Sequence, residues 1–232
     1  MVFNSMLHRS SMSQPVGTVD VYQNLVKFGT LSINAAPEHN KRLQATGTGT
    51  SIPSIAELQL TNRIALDCEM VGIGKNGKEH MVARVSLVNE FGNVLVDCYV
   101  KPQHPVKDYR TNISGIRPEL IEHGVEFAAI RELVRKIIYG RILVGHSLNN
   151  DLLVLQLRHP KYSIRDTSRY RAIAKKVHSM GTPSLKSLAK ALLGITIQNG
   201  THDSVEDAQT VMKIYLLFEK QWEDAVKQSC KF

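Results

Sequence analysis

Ile64-Ala65-Leu66-Asp67-Cys68-Glu69-Met70 has the apolar character of a strand buried in a sheet, yet it carries two carboxylates. Residues i and i+2 of a strand point to the same face, so Asp67 and Glu69 leave one side of the sheet together. Like charges side by side cost stability unless something positive lies between them. A divalent cation, which takes oxygen ligands, answers that need. The plainer alternative is a strand end with both acids in water.

Outward from this strand, Gly72-Ile73-Gly74-Lys75-Asn76-Gly77 has the G-x-G-x-x-G spacing of a dinucleotide loop, with Asp97 about where a ribose acid would sit. Such a loop must open a helix. Met81–Val88 is instead rich in β-branched residues and predicts a second strand, and Asn76-Gly77 is a hairpin signal. The glycines therefore predict a loop between antiparallel strands. Val94–Val100 predicts a third strand, and residues 108–116 a surface loop. Pro118 suits the first turn of a short helix. Phe127–Tyr139 predicts an amphipathic helix, with Ile130, Leu133, Val134, Ile137 and Ile138 on one face. Ile142-Leu143-Val144 predicts a fourth strand, and Asp151 the start of the helix after it. There Asp151 stands at the strand's C-terminal end, where α/β sites form, although acids also serve helix N-termini.

Tyr162–Asp166 predicts a fifth strand. Lys161 to Lys176 holds six bases against one acid, which reads equally as a phosphate-tracking surface or a solvated helix face. Leu185, Leu188, Ala189, Leu192 and Leu193 predict a core helix closed by Gly194. In Thr201-His202-Asp203-Ser204-Val205-Glu206-Asp207-Ala208, Asp203 and Glu206 predict a capping box. His202 then sits at the mouth of a helix expected to run to about Phe218. Asp207 shares the inward stripe of Val211 and Ile214, a costly place for an acid unless it is paired or metal-bound.

Composition sets the frame. A chain of 232 residues, 43% hydrophobic, suits one domain with an appendage. Residues 1–60 are rich in Ser, Thr, Gly, Asn and Gln and predict a loosely ordered extension, within which Val19–Phe28 offers a short docking segment. Residues 61–232 form the expected domain. Three distant cysteines imply neither a disulfide framework nor a zinc site, and a reducing compartment. No apolar run approaches the ~20 residues of a membrane span, and the N-terminus reads as no secretory signal. Its first 19 residues hold several serines and no acid, which leaves an organelle-transit reading open. The net charge of +8 and pI of about 9.4 favour a polyanion. Residues 61–232 carry 25 bases against 18 acids, so the charge belongs to the domain rather than to a tail.

Asp67, Glu69, Asp151 and Asp207 in one cleft would need about two divalent cations. Ions ~3.5–4 Å apart clamp in-line attack on a phosphodiester, and a histidine such as His202 can take the water's proton. Asp67-x-Glu69, Gly145-His146-x-Leu148-x-x-Asp151 and His202-x-x-x-x-Asp207, in this order, resemble the three motifs of the DEDDh superfamily of 3′→5′ exonucleases. The wording around them, with Asp108-Tyr109-Arg110-Thr111 and Ile164-Arg165-Asp166-Thr167-Ser168, is similar to its RNA exonuclease 4 branch and the related interferon-stimulated exonuclease. The resemblance spans residues 62–220.

It implies an α/β, RNase H-like fold: a mixed five-stranded sheet, three antiparallel strands and then parallel ones, flanked by helices. It implies a 3′→5′ exoribonuclease acting on single-stranded RNA with a free 3′-hydroxyl, with DNA as the alternative polymer, in ribosomal RNA processing. Asp67, Glu69, Asp151 and Asp207 would hold two Mg²⁺ or Mn²⁺ ions, with His202 as general base. Met70, Arg110 and Thr111 would meet the terminal nucleotide, and Leu148 would wedge its base. A nuclear or nucleolar location follows from the same resemblance, with the cytoplasm as alternative. Residues 1–60 depart from that branch in lacking a long lysine-rich tail. A non-catalytic RNA-binding or ribosome-assembly factor is the competing class.

Overall fold

The computed structural model describes residues 53–229. The expected docking segment at 19–28 lies outside them. Residues 53–60, read from sequence as part of the extension, are folded onto the domain: Ile55, Leu58 and Leu60 pack against its core, and Gln59 O accepts the Asn89 side-chain amide.

The sheet has five strands in the order β3-β2-β1-β4-β5: β1 (Arg63–Ile73), β2 (Glu79–Asn89), β3 (Val94–Tyr99), β4 (Ile142–Gly145) and β5 (Ile164–Asp166). β2 pairs antiparallel with both β1 and β3, whereas β4 runs parallel to β1 and β5 parallel to β4. This is the mixed sheet expected from the sequence. Residues 74–78 join β1 to β2 as a hairpin loop, not as the entry to a helix, so the glycine spacing is no dinucleotide fingerprint. Asn76 and Gly77 both take positive φ (61° and 65°), the left-handed backbone that Asn and Gly tolerate best.

Helices cover both faces. They are α1 (Thr111–Ser114), α2 (Pro118–Glu122), α3 (Phe127–Ile138), α4 (Leu148–Val154), α5 (Arg171–Lys176), α6 (Leu185–Leu188) and α7 (Ser204–Ser229). Ile64, Leu66 and Cys68 of β1 belong to one core cluster with Ile130, Val134 and Ile137 of α3. Ala65 lies in another, with Ala208, Val211 and Tyr215 of α7. The two-residue period of β1 thus divides the core, and Asp67 and Glu69 continue the face of Ala65, toward α7.

Several elements differ from their sequence reading. Residues 108–116 are not a free surface loop: Asp108 bridges Gly72, and Ser114 and Ile116 are buried. The core helix keeps its buried leucines but winds as a π turn over Ala189–Leu193. α7 runs past Phe218 to Ser229 because its later turns find partners. Trp222 stacks on Tyr170 at 3.9 Å, and the Glu223 carboxylate accepts two bonds from Arg165, at 2.7 and 2.6 Å. Arg165 is only 3% exposed, so this member of the basic segment is a core ion pair and faces no RNA. Removing one partner of a buried pair strands the other. Arg165→Ala is expected to cost about 3 kcal/mol, roughly 6–12 °C of melting temperature for a domain of this size. Thermal unfolding checks this, and a shift under 2 °C would contradict a structural role.

Candidate active site

β1 brings Asp67 and Glu69 to the face covered by α7, and α7 brings Asp207 to meet them. One carboxylate oxygen from each of the three lies within 4.8 Å of the others. A register shift between Glu69 and Met70 marks a bulge, the usual device for re-aiming a side chain at a site. The start of α7 is fixed by Asp203, whose Oδ1 accepts the backbone N–H of Val205 at 2.9 Å and of Glu206 at 3.3 Å. The reciprocal half of the expected capping box is absent, because the Glu206 carboxylate accepts the backbone N–H of Gln198 instead, at 3.4 Å.

Asp151 joins from α4. That helix begins at Leu148, three residues before the start expected from sequence, because Asp166 Oδ1 and Oδ2 accept the backbone N–H groups of Ser147 and Leu148. Asp151 is 4% exposed, and the Cys68 thiol acts on its carboxylate. It stands outside the three-acid group, yet its charge acts on Asp67.

The electrostatics are those of a cluster whose negative charge outweighs its cationic neighbour, Arg84. Burial holds the Asp67 carboxyl well above the ordinary carboxylate range, reinforced by Asp151, Asp207 and Glu69. Burial and Asp207 push Glu69 up to about 8, against the pull of Arg84. Burial pushes Asp151 up to about 7, although the Cys68 thiol opposes it. Asp207 is raised by burial, while the Gln198 amide and His202 oppose. Two buried oxygens, Glu69 Oε1 and Asp207 Oδ1, have no hydrogen-bond partner. Buried acceptors are almost always satisfied, so two orphans in one acid cluster fit a divalent cation's demand for oxygen ligands. The residues present therefore suit the metal expected from the sequence.

His202 is half-buried on the loop entering α7, and its backbone N–H donates to Ile113 O at 2.6 Å, tying that loop to α1. Met70 is half-buried against the core. Arg110 adopts a left-handed backbone (φ 52°), and its guanidinium donates to Gly77 O at 3.0 Å and His80 Nδ1 at 2.8 Å, so it is clamped to the β1–β2 loop. The Thr111 hydroxyl donates within its own turn, to Ile116 O at 2.7 Å. Leu148 is fully buried beneath Gly145, where an added Cβ would fall 2.3 Å from its side chain, so it presents no surface to a base here.

Sequence reading missed two supporting groups. Arg84 faces Glu69 across the β1–β2 ladder and is held by Asp97 in a two-bond pair of 2.7 and 2.8 Å. The hairpin register, once drawn, would have paired Arg84 with Glu69. Gln198 donates its side-chain amide to Asp207 Oδ2 at 2.8 Å, and no spacing in the sequence pointed to it.

Several known proteins resemble this chain. The chain is 50% identical to "RNA exonuclease 4" of Mus musculus over 166 residues, 72% of this chain and 38% of that protein. It is 49% identical to the Homo sapiens protein of the same name over 168 residues, again 72% of this chain and 40% of the other. The chain thus spans about two fifths of the length of these relatives. Among solved structures, the Pan2 catalytic unit of Neurospora crassa (protease and nuclease domain) superimposes with a TM-score of 0.60 at 30% identity, covering 78% of this chain and 30% of that one. The Saccharomyces cerevisiae Pan2 pseudoubiquitin hydrolase–RNA exonuclease module in complex with A7 RNA does so with a TM-score of 0.61 at 28% identity, covering 77% and 32%. Residues 64–215 match the exonuclease family, RNase_T, across the whole sheet and into α7. The chain belongs to that exonuclease family, and its ordered Asp67–Glu69, Asp151 and His202–Asp207 motifs make it a DEDDh member resembling RNA exonuclease 4.

Proposed function

We propose that this chain is a divalent-metal-dependent 3′→5′ exoribonuclease, trimming single-stranded RNA to 5′-nucleoside monophosphates through residues 61–232. The observation that carries this is the pair of buried, unpartnered oxygens of Glu69 and Asp207 within the three-acid group. The names of the relatives, and a Pan2 module solved with RNA, favour RNA as polymer. The excess of bases in residues 61–232 suits any polyanion.

In this reading Asp67, Glu69 and Asp207, with Asp151 beside them, would hold two Mg²⁺ or Mn²⁺ ions. Bound there, such ions supply Lewis-acid stabilisation of charge on the phosphoryl oxygens. His202 accepts the proton of the attacking water on its imidazole. The water oxygen bonds to phosphorus, the bond from phosphorus to the 3′ oxygen breaks, and that oxygen leaves as a hydroxyl once protonated by solvent. Arg110 and Met70 flank the terminal nucleotide. By its resemblance to RNA exonuclease 4 we extend the proposal to ribosomal RNA as substrate class and the nucleus as location.

The test is a 5′-labelled single-stranded RNA with a free 3′-hydroxyl, beside a DNA of the same sequence, with Mn²⁺ or Mg²⁺ and then with chelator. A ladder shortening from the 3′ end on RNA, lost on chelation, is expected. Faster trimming of DNA would redirect the proposal to a DNA exonuclease, and tight binding without trimming to an assembly factor. His202→Ala is expected to slow release about 10²–10⁴-fold, with partial rescue by added imidazole. A variant of unchanged rate would remove His202 from the proton step.

A further inference from the structure

Gln198 lies outside the DEDDh motifs, but its side chain meets one of the clustered acids and its backbone is tightly held. Its amide nitrogen donates to Asp207 Oδ2 at 2.8 Å, while Asp207 Oδ1 stays buried and unpartnered. Its main chain is held on both sides. Lys186 Nζ donates to its carbonyl at 2.9 Å, and its N–H donates to Glu206 Oε2 at 3.4 Å. Its φ of 54° lies in the left-handed region that favours glycine. A glutamine kept in that backbone, where glycine would be more comfortable, points to a need for the side chain. The preceding Ile197 is 2% exposed in the α7 core cluster, which anchors the loop on one side of Gln198.

An Asp carboxylate on an isolated helix turn rotates about its last torsion and presents either oxygen. A donor on one oxygen stops that rotation and leaves the other for a cation, the usual task of a group hydrogen-bonded to a metal ligand. We propose that Gln198 is a positioning residue for the metal site, its amide fixing Asp207 so that one oxygen is held and the other is free to bind a divalent ion. This deepens the metal-dependent reading above and rests on it.

The test uses the full chain stripped of metal, the Mn²⁺ ion as probe in calorimetric titration, and the RNA ladder as a second readout. Gln198→Gly removes the amide and relaxes the left-handed backbone, so the relieved strain offsets the lost hydrogen bond and its melting temperature should stay close to that of the wild type. Gln198→Met keeps the length of the side chain without its donor. Both variants are expected to bind Mn²⁺ 10–100-fold more weakly, and the Mn²⁺ needed for half-maximal trimming should rise by the same factor while KM for RNA stays put. A merely structural role would instead lower the melting temperature and leave the Mn²⁺ affinity of the folded fraction intact. Wild-type Mn²⁺ affinity in either variant, with wild-type protein trimming RNA normally, overturns the assignment of Gln198 alone. Wild-type protein that neither binds Mn²⁺ nor trims RNA overturns the exoribonuclease reading, and this inference with it.

Discussion

Asp207→Asn is expected to slow nucleotide release by about a thousandfold or more while making the metal-free protein more heat-stable than the wild type. The two effects have one origin. Asp207 is 3% exposed, its pKa raised from the ordinary value by burial, with its Oδ1 unpartnered. Asn has the same shape and keeps an oxygen to accept the Gln198 amide, but it removes a charge from a cluster that already contains Asp67 and Glu69. Without metal, that removal relieves repulsion and desolvation, so the melting temperature in chelator at pH 8 should rise by several degrees. With metal, a ligand is lost. Lewis-acid stabilisation is worth several kcal/mol in the transition state, and about 4 kcal/mol corresponds to about 10³-fold in rate. Single-turnover trimming and calorimetry on the same preparation check both signs. An active variant sinks the metal assignment. An inactive variant less stable than wild type in chelator would mean that Asp207 supports the fold rather than straining it.

The acids were legible where a local period determines their direction. Asp67 and Glu69 share a face because they lie two apart on a strand, and Asp207 could be placed inward because Val211 and Ile214 lie on the same stripe of α7. The hairpin was legible for the same reason, since β-branched residues after Gly77 forbid the helix that a dinucleotide loop needs. What stayed hidden depends on contacts distant in sequence. The last turns of α7 are held by Tyr170 and Arg165, which lie more than fifty residues upstream in a segment whose charge suggested an RNA surface. The early start of α4 is set by Asp166 from the neighbouring strand. Leu148 carries the right motif position, yet its neighbour in space is the backbone of Gly145, and it packs into the core. Gln198 could not be read at all, because the turn that returns it to Asp207 is defined only by the folded loop.

Metal-free protein should lose stability as pH rises from about 5 to 8, and a divalent cation should restore it most at the alkaline end. Glu69 sits at about 8 and Asp151 at about 7 in the folded chain, both above their ordinary values of 4.5 and 3.8. Between the ordinary and the folded values the folded state binds more protons than the unfolded one. Stability then falls with pH, because its slope follows the protons bound by the unfolded state minus those bound by the folded state. A cation must displace those protons to reach the oxygens, so its apparent affinity grows with pH, by about tenfold per pH unit for each proton released. At a hundred times its dissociation constant a ligand adds about 2.7 kcal/mol, roughly 5–11 °C for a chain of this size. Melting curves at pH 6 and pH 8, in chelator and in Mn²⁺, should therefore diverge strongly at pH 8 and little at pH 6. Glu69→Gln should flatten the chelator series, since the glutamine has no proton to lose. A chelator series that rises from pH 6 to 8, or an equal Mn²⁺ shift at both, would mean that the acids already carry their charge comfortably, and that no cation is needed to bring them together.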